Sequence, residues 1–478
     1  MIKFVDEVLM SFKICFSRKK TFSWFIVAII GLMARNDGLG VTSIMRSLLV
    51  KPKMYTSLLA LFRSKAWTLD KLMQVWWSAV KTHAPVMEID GYTVAATDGI
   101  KKSKEGQKMP GTKTHHQESA NSSKAPYIWG HLFGAVGVLA SNGTKTFCIP
   151  MALTIQDGVR NIFKWVSGWE RQGSHVVETI TLSHKITSVF GKVLLLMDSY
   201  FMTVPALERL DALNIGGELM NIIAKAKNHY TAYREPPPRR PGQKGQPAKR
   251  GERVKLCTVF EELAHKFEDA DVIMYDKPEK VKIYSENLLW GQGYYKKLRF
   301  VFVIYNEIKT VLMCTDTKLE PATIAQLYCK RFKIECMFRE MSQVVYSFNY
   351  RFWSKSMPKL SKRKKKTTPD PMKSIKDTET QGAIINTVKA IEGYVFCCAV
   401  ATGLLQMSSL LFSSVMEFSK FRFLRVRRNT TESEATVAEY FRRRILLMLV
   451  LHPDLPTCEI IRAHQVSDLW LNDNEVAV

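Results

Sequence analysis

The seven residues KVLLLMD, at 192–198, constrain the fold of this chain more than any other stretch. Five consecutive apolar side chains at strand length, with no polar alternation, read as a strand buried on both faces. Asp198 ends the run, and Ser199, Tyr200 and Phe201 follow. A carboxylate at the carboxyl end of such a strand points into the crevice where α/β sheets bind ligands. The same residue can also serve as a turn or helix cap.

The surrounding pattern is α/β. YTVAATDG (92–99), HLFGAVGVLA (131–140) and FCIPMALTI (147–155) read as three strands, with Asp98 at the end of the first. Helices over roughly 174–189 and 204–213 and a strand at 219–225 complete the alternation. REPPPRRPGQKGQPAKRGER (234–253) is too polar for a core and reads as a DNA-facing loop or a solvated linker. Strands at 271–276, 280–286, 298–306 and 309–317 then form a β-rich insertion that returns to the main sheet. A helix is expected from Pro321. Within it LYCKRFKIECMFREM (327–341) reads as one continuous helix. That helix would place Tyr328, Arg331 and Glu335 on one face and Leu327, Ile334, Phe338 and Met341 on an apolar stripe. An Arg331–Glu335 surface pair alone would contribute only roughly 0.3–0.5 kcal/mol. Glu340 falls about 140° from Glu335 and is assigned to the solvent side.

Five regions follow in chain order. Residues 1–88 are helical, with short helices over 40–80 that break near Lys51-Pro52 and Thr68-Leu69-Asp70. With Arg46, Lys51, Lys53, Arg63 and Lys65 they suit a small DNA-binding bundle or a helical cap on the next domain. Residues 89–226 are the first part of an α/β core, 227–306 the insertion, and 307–415 the second part of the core, with a basic linker at 355–376. Residues 416–478 are a basic C-terminal helical region.

The chain carries 69 Lys plus Arg against 44 Asp plus Glu, a formal +25. That balance excludes a small-molecule enzyme with no charged partner and favours a polyanion, nucleic acid first and an anionic membrane second. Nine scattered cysteines with no C-x-x-C spacing support neither a disulfide framework nor a zinc module, and fit a reducing cytoplasm. FSWFIVAIIGLMA (22–34) resembles the apolar part of a signal segment but lacks a clear cleavage site. GYVFCCAVATGLLQMSSLLFSSVM (393–416) is long enough to span a bilayer. Its Thr402, Gln406, Ser408 and Ser409 favour a buried core helix, and no membrane partner is expected.

Asp98 and Asp198, with Glu335 on a late helix, suggest phosphoryl transfer. Two Mg²⁺ ions held by a few carboxylates can activate a nucleophile and stabilise a leaving oxygen in an in-line displacement. A chain this basic would hold the nucleic acid that brings the phosphate.

These motifs resemble an insertion-sequence DDE transposase with a Y-x2-R-x3-E-x6-K signature. The resemblance rests on Tyr328, Arg331 and Glu335 followed by FREMSQ (338–343), on the stretch after Asp98 (97–119), on MDSYF (197–201) and on YRFWSKSMPKL (350–360). It covers roughly residues 36–420. It implies a ribonuclease-H-like core interrupted by the β-rich insertion, with Asp98, Asp198 and Glu335 as catalytic residues and ligands of a Mg²⁺ pair that Mn²⁺ can replace. It implies cleavage at element ends by water, then attack of the freed 3′ hydroxyl on target DNA. The partners implied are terminal inverted repeats, target DNA and a second copy of the chain, in the cytoplasm with the nucleoid. Tyr328 and Arg331 would position the DNA backbone, and Lys101, Lys102 and Arg339 are placed among the DNA contacts. The signature's lysine falls at Ser342, so a decayed or repurposed transposase acting as a non-catalytic DNA-binding protein is the alternative. Trp290, in ENLLWGQGYYKK (286–297), is read as a stacking face for a flipped base or as core packing. His115, His116 and His131 are read as phosphate contacts or packing rather than metal ligands.

Overall fold

A computed structural model describes the chain except for residues 118–124, 167–173, 228, 240–244, 275–276, 363–368, 423–430 and 467–478. The KRKKK run at 362–366, apart from Lys362, and the LRVRRN cluster at 424–429 therefore lie outside the described residues, as does part of the 234–253 loop. The chain is mixed α/β with helical termini and divides into two compact units, both discontinuous in sequence. One holds 88–98 and 173–334; the other holds 1–87, 99–172 and 335–478.

The strands run in chain order as follows. β1 (Glu88–Ile89) pairs antiparallel with the start of β2 (Tyr92–Ser103). β3 (Lys113–His116), β4 (Tyr127–Ser141) and β5 (Thr146–Ile155) form an antiparallel set, with a bulge at Val136/Gly137. β6 (Val193–Met197) and β7 (Met220–Lys225) follow. The insertion supplies β8 (Thr231–Tyr233), β9 (Arg253–Lys255), β10 (Glu268–Met274), β11 (Lys277–Trp290), β12 (Lys296–Tyr305) and β13 (Ile308–Cys314).

In the 88–98/173–334 unit the sheet is mixed. β2 is parallel to β6 and β6 to β7, then β13, β12 and β11 continue antiparallel. β6 is buried at all five positions, as its unbroken apolar run requires. β12 and β13 are joined by Asn306-Glu307, both with positive φ (45° and 66°), the geometry of a two-residue hairpin turn. β13 returns to β7 through Leu312–Cys314, so the insertion does rejoin the strands from which it left. Beneath the sheet edge a polar chain is fully matched. Tyr92 donates to Asp316, Asn221 donates to Tyr92, and Thr315 donates to Asn221.

The other unit is built on the Thr378–Phe412 helix, whose start is capped by Asp377 accepting from Thr380 N at 2.7 Å. The helix is long and apolar enough to cross a membrane, and it is buried within the unit against β5 and the Lys19–Ala34 and Tyr55–Arg63 helices. Its glycines make room for tryptophans: a Cβ on Gly393 or Gly403 would fall 2.5 Å from Trp67 or 2.3 Å from Trp76. The Trp76 and Trp77 indoles, on the Leu69–His83 helix, donate to Pro150 O and Met151 O of β5. The apolar 22–34 stretch forms the Lys19–Ala34 helix and is almost wholly buried. Arg35, directly after it, is fully buried and donates to Val345 O, Tyr346 O and Gly40 O and to the Tyr394 hydroxyl.

Two expectations about regular structure are corrected. The 174–189 helix is split into His175–His184 and Thr187–Phe190. The 327–341 segment is not one helix. It consists of Pro321–Tyr328 and Lys333–Gln343, separated by turns in which Lys330, Arg331, Lys333 and Ile334 each bond three residues back. No Gly or Pro lies in that segment, so no local breaker accounts for the interruption.

Candidate active site

The acidic pair is set by strand register. β2 and β6 pair as Ala95↔Leu195 and Ala96↔Leu196. Continued by two residues, that register places Asp98 level with Asp198, one interstrand spacing away, about 4.8 Å. Asp98 does not end its strand as expected, since β2 runs on to Ser103. Its environment nevertheless changes there: the six residues before it are buried, and exposure begins at Asp98. Asp198 is the first residue past β6 and opens the turn closed by Phe201 N donating to Asp198 O.

Two side chains from the broken helix meet this pair. Arg331 Nη1 lies 3.4 Å from Asp98 Oδ2. Tyr328 feels both carboxylates and Arg331, and its hydroxyl pKa is pushed up to about 12. Burial is the largest cause; Asp198 and Asp98 act in the same direction and the Arg331 guanidinium against them. The tightened turn explains why Tyr328 and Arg331 stay together, because residues three apart eclipse in 3₁₀-type geometry. Past Asp198, Tyr200 stacks on His175 with ring centroids 5.1 Å apart, while Phe201 packs edge-on to the same imidazole. His175 was not singled out in the sequence; only its place at the start of the helix before β6 could have drawn attention to it.

The remaining predicted residues lie in the other unit or in the insertion. Glu335 is exposed, in the first turn of Lys333–Gln343. Ser342 is on the same helix, where its hydroxyl donates to Phe338 O at 2.6 Å. The same hydroxyl accepts from Lys102 Nζ at 2.7 Å. Lys102 also lies over the Phe348 ring, and burial lowers its pKa. A cation thus stands at the position where the sequence shows only a serine. Lys101 donates to His116 O at 2.6 Å. Arg339 is exposed and pairs with its neighbour Glu340. Glu340 itself is not on the solvent side as expected, since its side chain is only 13% exposed.

Trp290, read as a stacking face or as core packing, is buried at the end of β11 against Tyr230, ring centroids 5.2 Å apart. The core-packing alternative describes it. His131 is fully buried between the Tyr350 hydroxyl (2.6 Å) and Pro110 O (2.9 Å), and burial lowers its pKa to about 3. His115 contacts Gly130 O, so both histidines are packing residues. Among the described residues, no group of three or more His, Cys, Asp or Glu side chains gathers closely enough to hold a metal ion unaided.

No protein-family model matches this chain, and no curated protein matches it.

Proposed function

We propose that this protein is a DNA transposase of the DDE type, cutting at element ends and joining them to target DNA. The observation that carries the reading is that Asp98, on β2, and Asp198, just past the adjacent parallel β6, both act on Tyr328, with Arg331 against Asp98. Two like charges one strand spacing apart repel. Arg331 offsets that repulsion at Asp98 in the free protein.

The chain order supports the finer reading of a ribonuclease-H-like core. A first strand (β2) is followed by a short strand (β3) and two longer ones (β4, β5), antiparallel among themselves, and then by two parallel strands (β6, β7), the first of them parallel to β2. The donor set suits Mg²⁺, which takes oxygen ligands and is commonly held by one or two carboxylates plus substrate phosphates. Asp98 and Asp198 would supply the carboxylates; the resemblance implies Glu335 as a further catalytic residue. Bound there, the ions supply charge stabilisation to the attacking and leaving oxygens. The protein's own groups do the rest. Tyr328, protonated at neutral pH, donates to a phosphate oxygen. Arg331 exchanges its Asp98 contact for the scissile phosphate. Lys102 donates to Ser342, so a cation stands beside the position where the signature's lysine is missing. That contact weighs against the decayed, non-catalytic alternative.

The test is nicking of a supercoiled plasmid carrying the gene with its flanking DNA, in Mg²⁺ or Mn²⁺. Metal-dependent cuts at fixed positions, lost in Asp198→Asn and in Glu335→Gln, are expected. DNA binding without cleavage by the parent chain would overturn the catalytic reading and leave the DNA-binding one.

A further inference from the structure

The segment YRFWSK, 350–355, alternates in burial without being a strand. Phe352 and Ser354 are buried, whereas Arg351, Trp353 and Lys355 are exposed. In extended chain such alternation puts residues two apart on one side. A cation, a tryptophan and a second cation therefore form one row. The row is held from behind: Ser354 N donates to Lys108 O at 3.1 Å, and Arg63 Nη2 donates to Trp353 O at 3.3 Å. Trp353 is 52% exposed although its neighbours on both sides are fixed in the core. An exposed tryptophan on an anchored backbone is a costly surface unless something covers it.

It faces a cavity of about 800 Å³ within the 1–87/99–172/335–478 unit. Leu39, Tyr55 and Trp353 give that cavity apolar and aromatic surface; Arg63, Arg351 and Lys355 give it positive charge. No Asp or Glu lines it among the described residues. The volume is in the range of ligand pockets. Aromatic faces flanked by cations with no carboxylate match an occupant that is flat, π-rich and anionic.

We propose that this cleft binds unpaired nucleotides of a nucleic-acid strand, with a base stacked on Trp353 and the adjoining phosphates on Arg351, Lys355 and Arg63. The inference stands independently of the phosphodiester chemistry, because none of its residues belongs to the acidic pair.

The probe is a fluorescent oligothymidylate, measured by anisotropy against the full chain, beside an abasic strand of the same length. Trp353→Ala is expected to weaken oligothymidylate binding roughly five- to a hundredfold, the usual worth of one base–aromatic stack. Trp353→Phe is expected to restore most of that loss. The abasic strand is expected to bind the parent and Trp353→Ala alike, and Arg351→Glu is expected to weaken both strands. Equal oligothymidylate affinity for parent and Trp353→Ala would overturn the proposal. Equal losses on the abasic strand would overturn it too, by assigning the effect to folding or charge. Competition by free thymidine monophosphate as effective as by the strand would also overturn it, in favour of a mononucleotide site. The plasmid-nicking assay reads the nuclease proposal separately, so a failure of that reading remains distinguishable from a failure here.

Discussion

The two units handle buried charge in opposite ways. In the unit built on the Thr378–Phe412 helix, each inner charge is matched by the fold. Arg35 serves five oxygen partners, Glu392 accepts from Ile155 N at 2.9 Å, and Lys389 donates to Ser64 O and Trp67 O. In the unit built on β6, Asp98 and Asp198 are like charges that both act on Tyr328. The same unit satisfies Asp316 and Asn221 completely, so it has the means to pair polar groups. Charges that the fold matches hold the structure together. Like charges near one another do not hold the structure together in the same way, and on the proposed reading this pair would receive a cation.

Removing a matched charge should therefore be the most damaging change. Arg35→Met leaves the Val345 carbonyl without the guanidinium in a fully buried site and removes one of two donors from the Tyr346 and Gly40 carbonyls. We expect a loss of about 3–5 kcal/mol in denaturant unfolding. A loss under about 1 kcal/mol would break the contrast between the units.

Lys102 is the exception within its unit, since its partner is a hydroxyl, Ser342, rather than a carbonyl or carboxylate. Lys102→Met should leave stability nearly unchanged and cost about 1.5–3 kcal/mol in end cleavage, or roughly one to two decades in rate. Ser342→Lys added to Lys102→Met should recover much of that loss. Cleavage indifferent to Lys102 would place it with the structural charges.

Lys104 gives a pH signature. It is buried near Phe348 O and Tyr350 O and above the Tyr350 ring. Burial first, then Lys102 and Arg351, lower its pKa from 10.5 to about 7. Between those values the unfolded chain holds a proton that the folded protein lacks. Stability therefore rises with pH from about 7 towards 10.5, and the full penalty is present below about 7. The expected slope is up to about 1.4 kcal/mol per pH unit, and it should vanish in Lys104→Met. Denaturant midpoints from neutral to mildly alkaline pH check it.

The smallest effect is the most specific. Asp198→Asn in metal-free buffer should raise stability by about 0.2–1 kcal/mol, by ending like-charge repulsion across the strand pair. Asp98→Asn should gain less, because it also gives up the Arg331 contact. Destabilisation by Asp198→Asn would mean that the fold matches this charge after all.

Much of this was legible in the sequence wherever one short pattern decides the outcome. KVLLLMD gave a five-residue buried strand with Asp198 just beyond it, and the strands at 147–155, 219–225 and 309–317 lie close to their expected places. What failed depended on tertiary contacts. The break between Tyr328 and Lys333 has no local breaker to announce it. The burial of Trp290 depends on Tyr230, sixty residues away in sequence. Lys102 reaches Ser342 across 240 residues, which no spacing rule can supply. Continuation of β2 beyond Asp98 was hidden by Gly99, a residue that usually punctuates a strand.

The central claim is that Asp98 and Asp198 form a cation site. Its most direct measurement is Mn²⁺ binding to the metal-free chain, read by loss of the free-ion electron paramagnetic resonance signal, with Asp98→Asn, Asp198→Asn and the double variant beside it. Saturable binding by the parent chain is predicted, weakened in either single variant and lost in the double variant while all of them remain folded. Equal Mn²⁺ binding by the parent and the double variant would contradict the account.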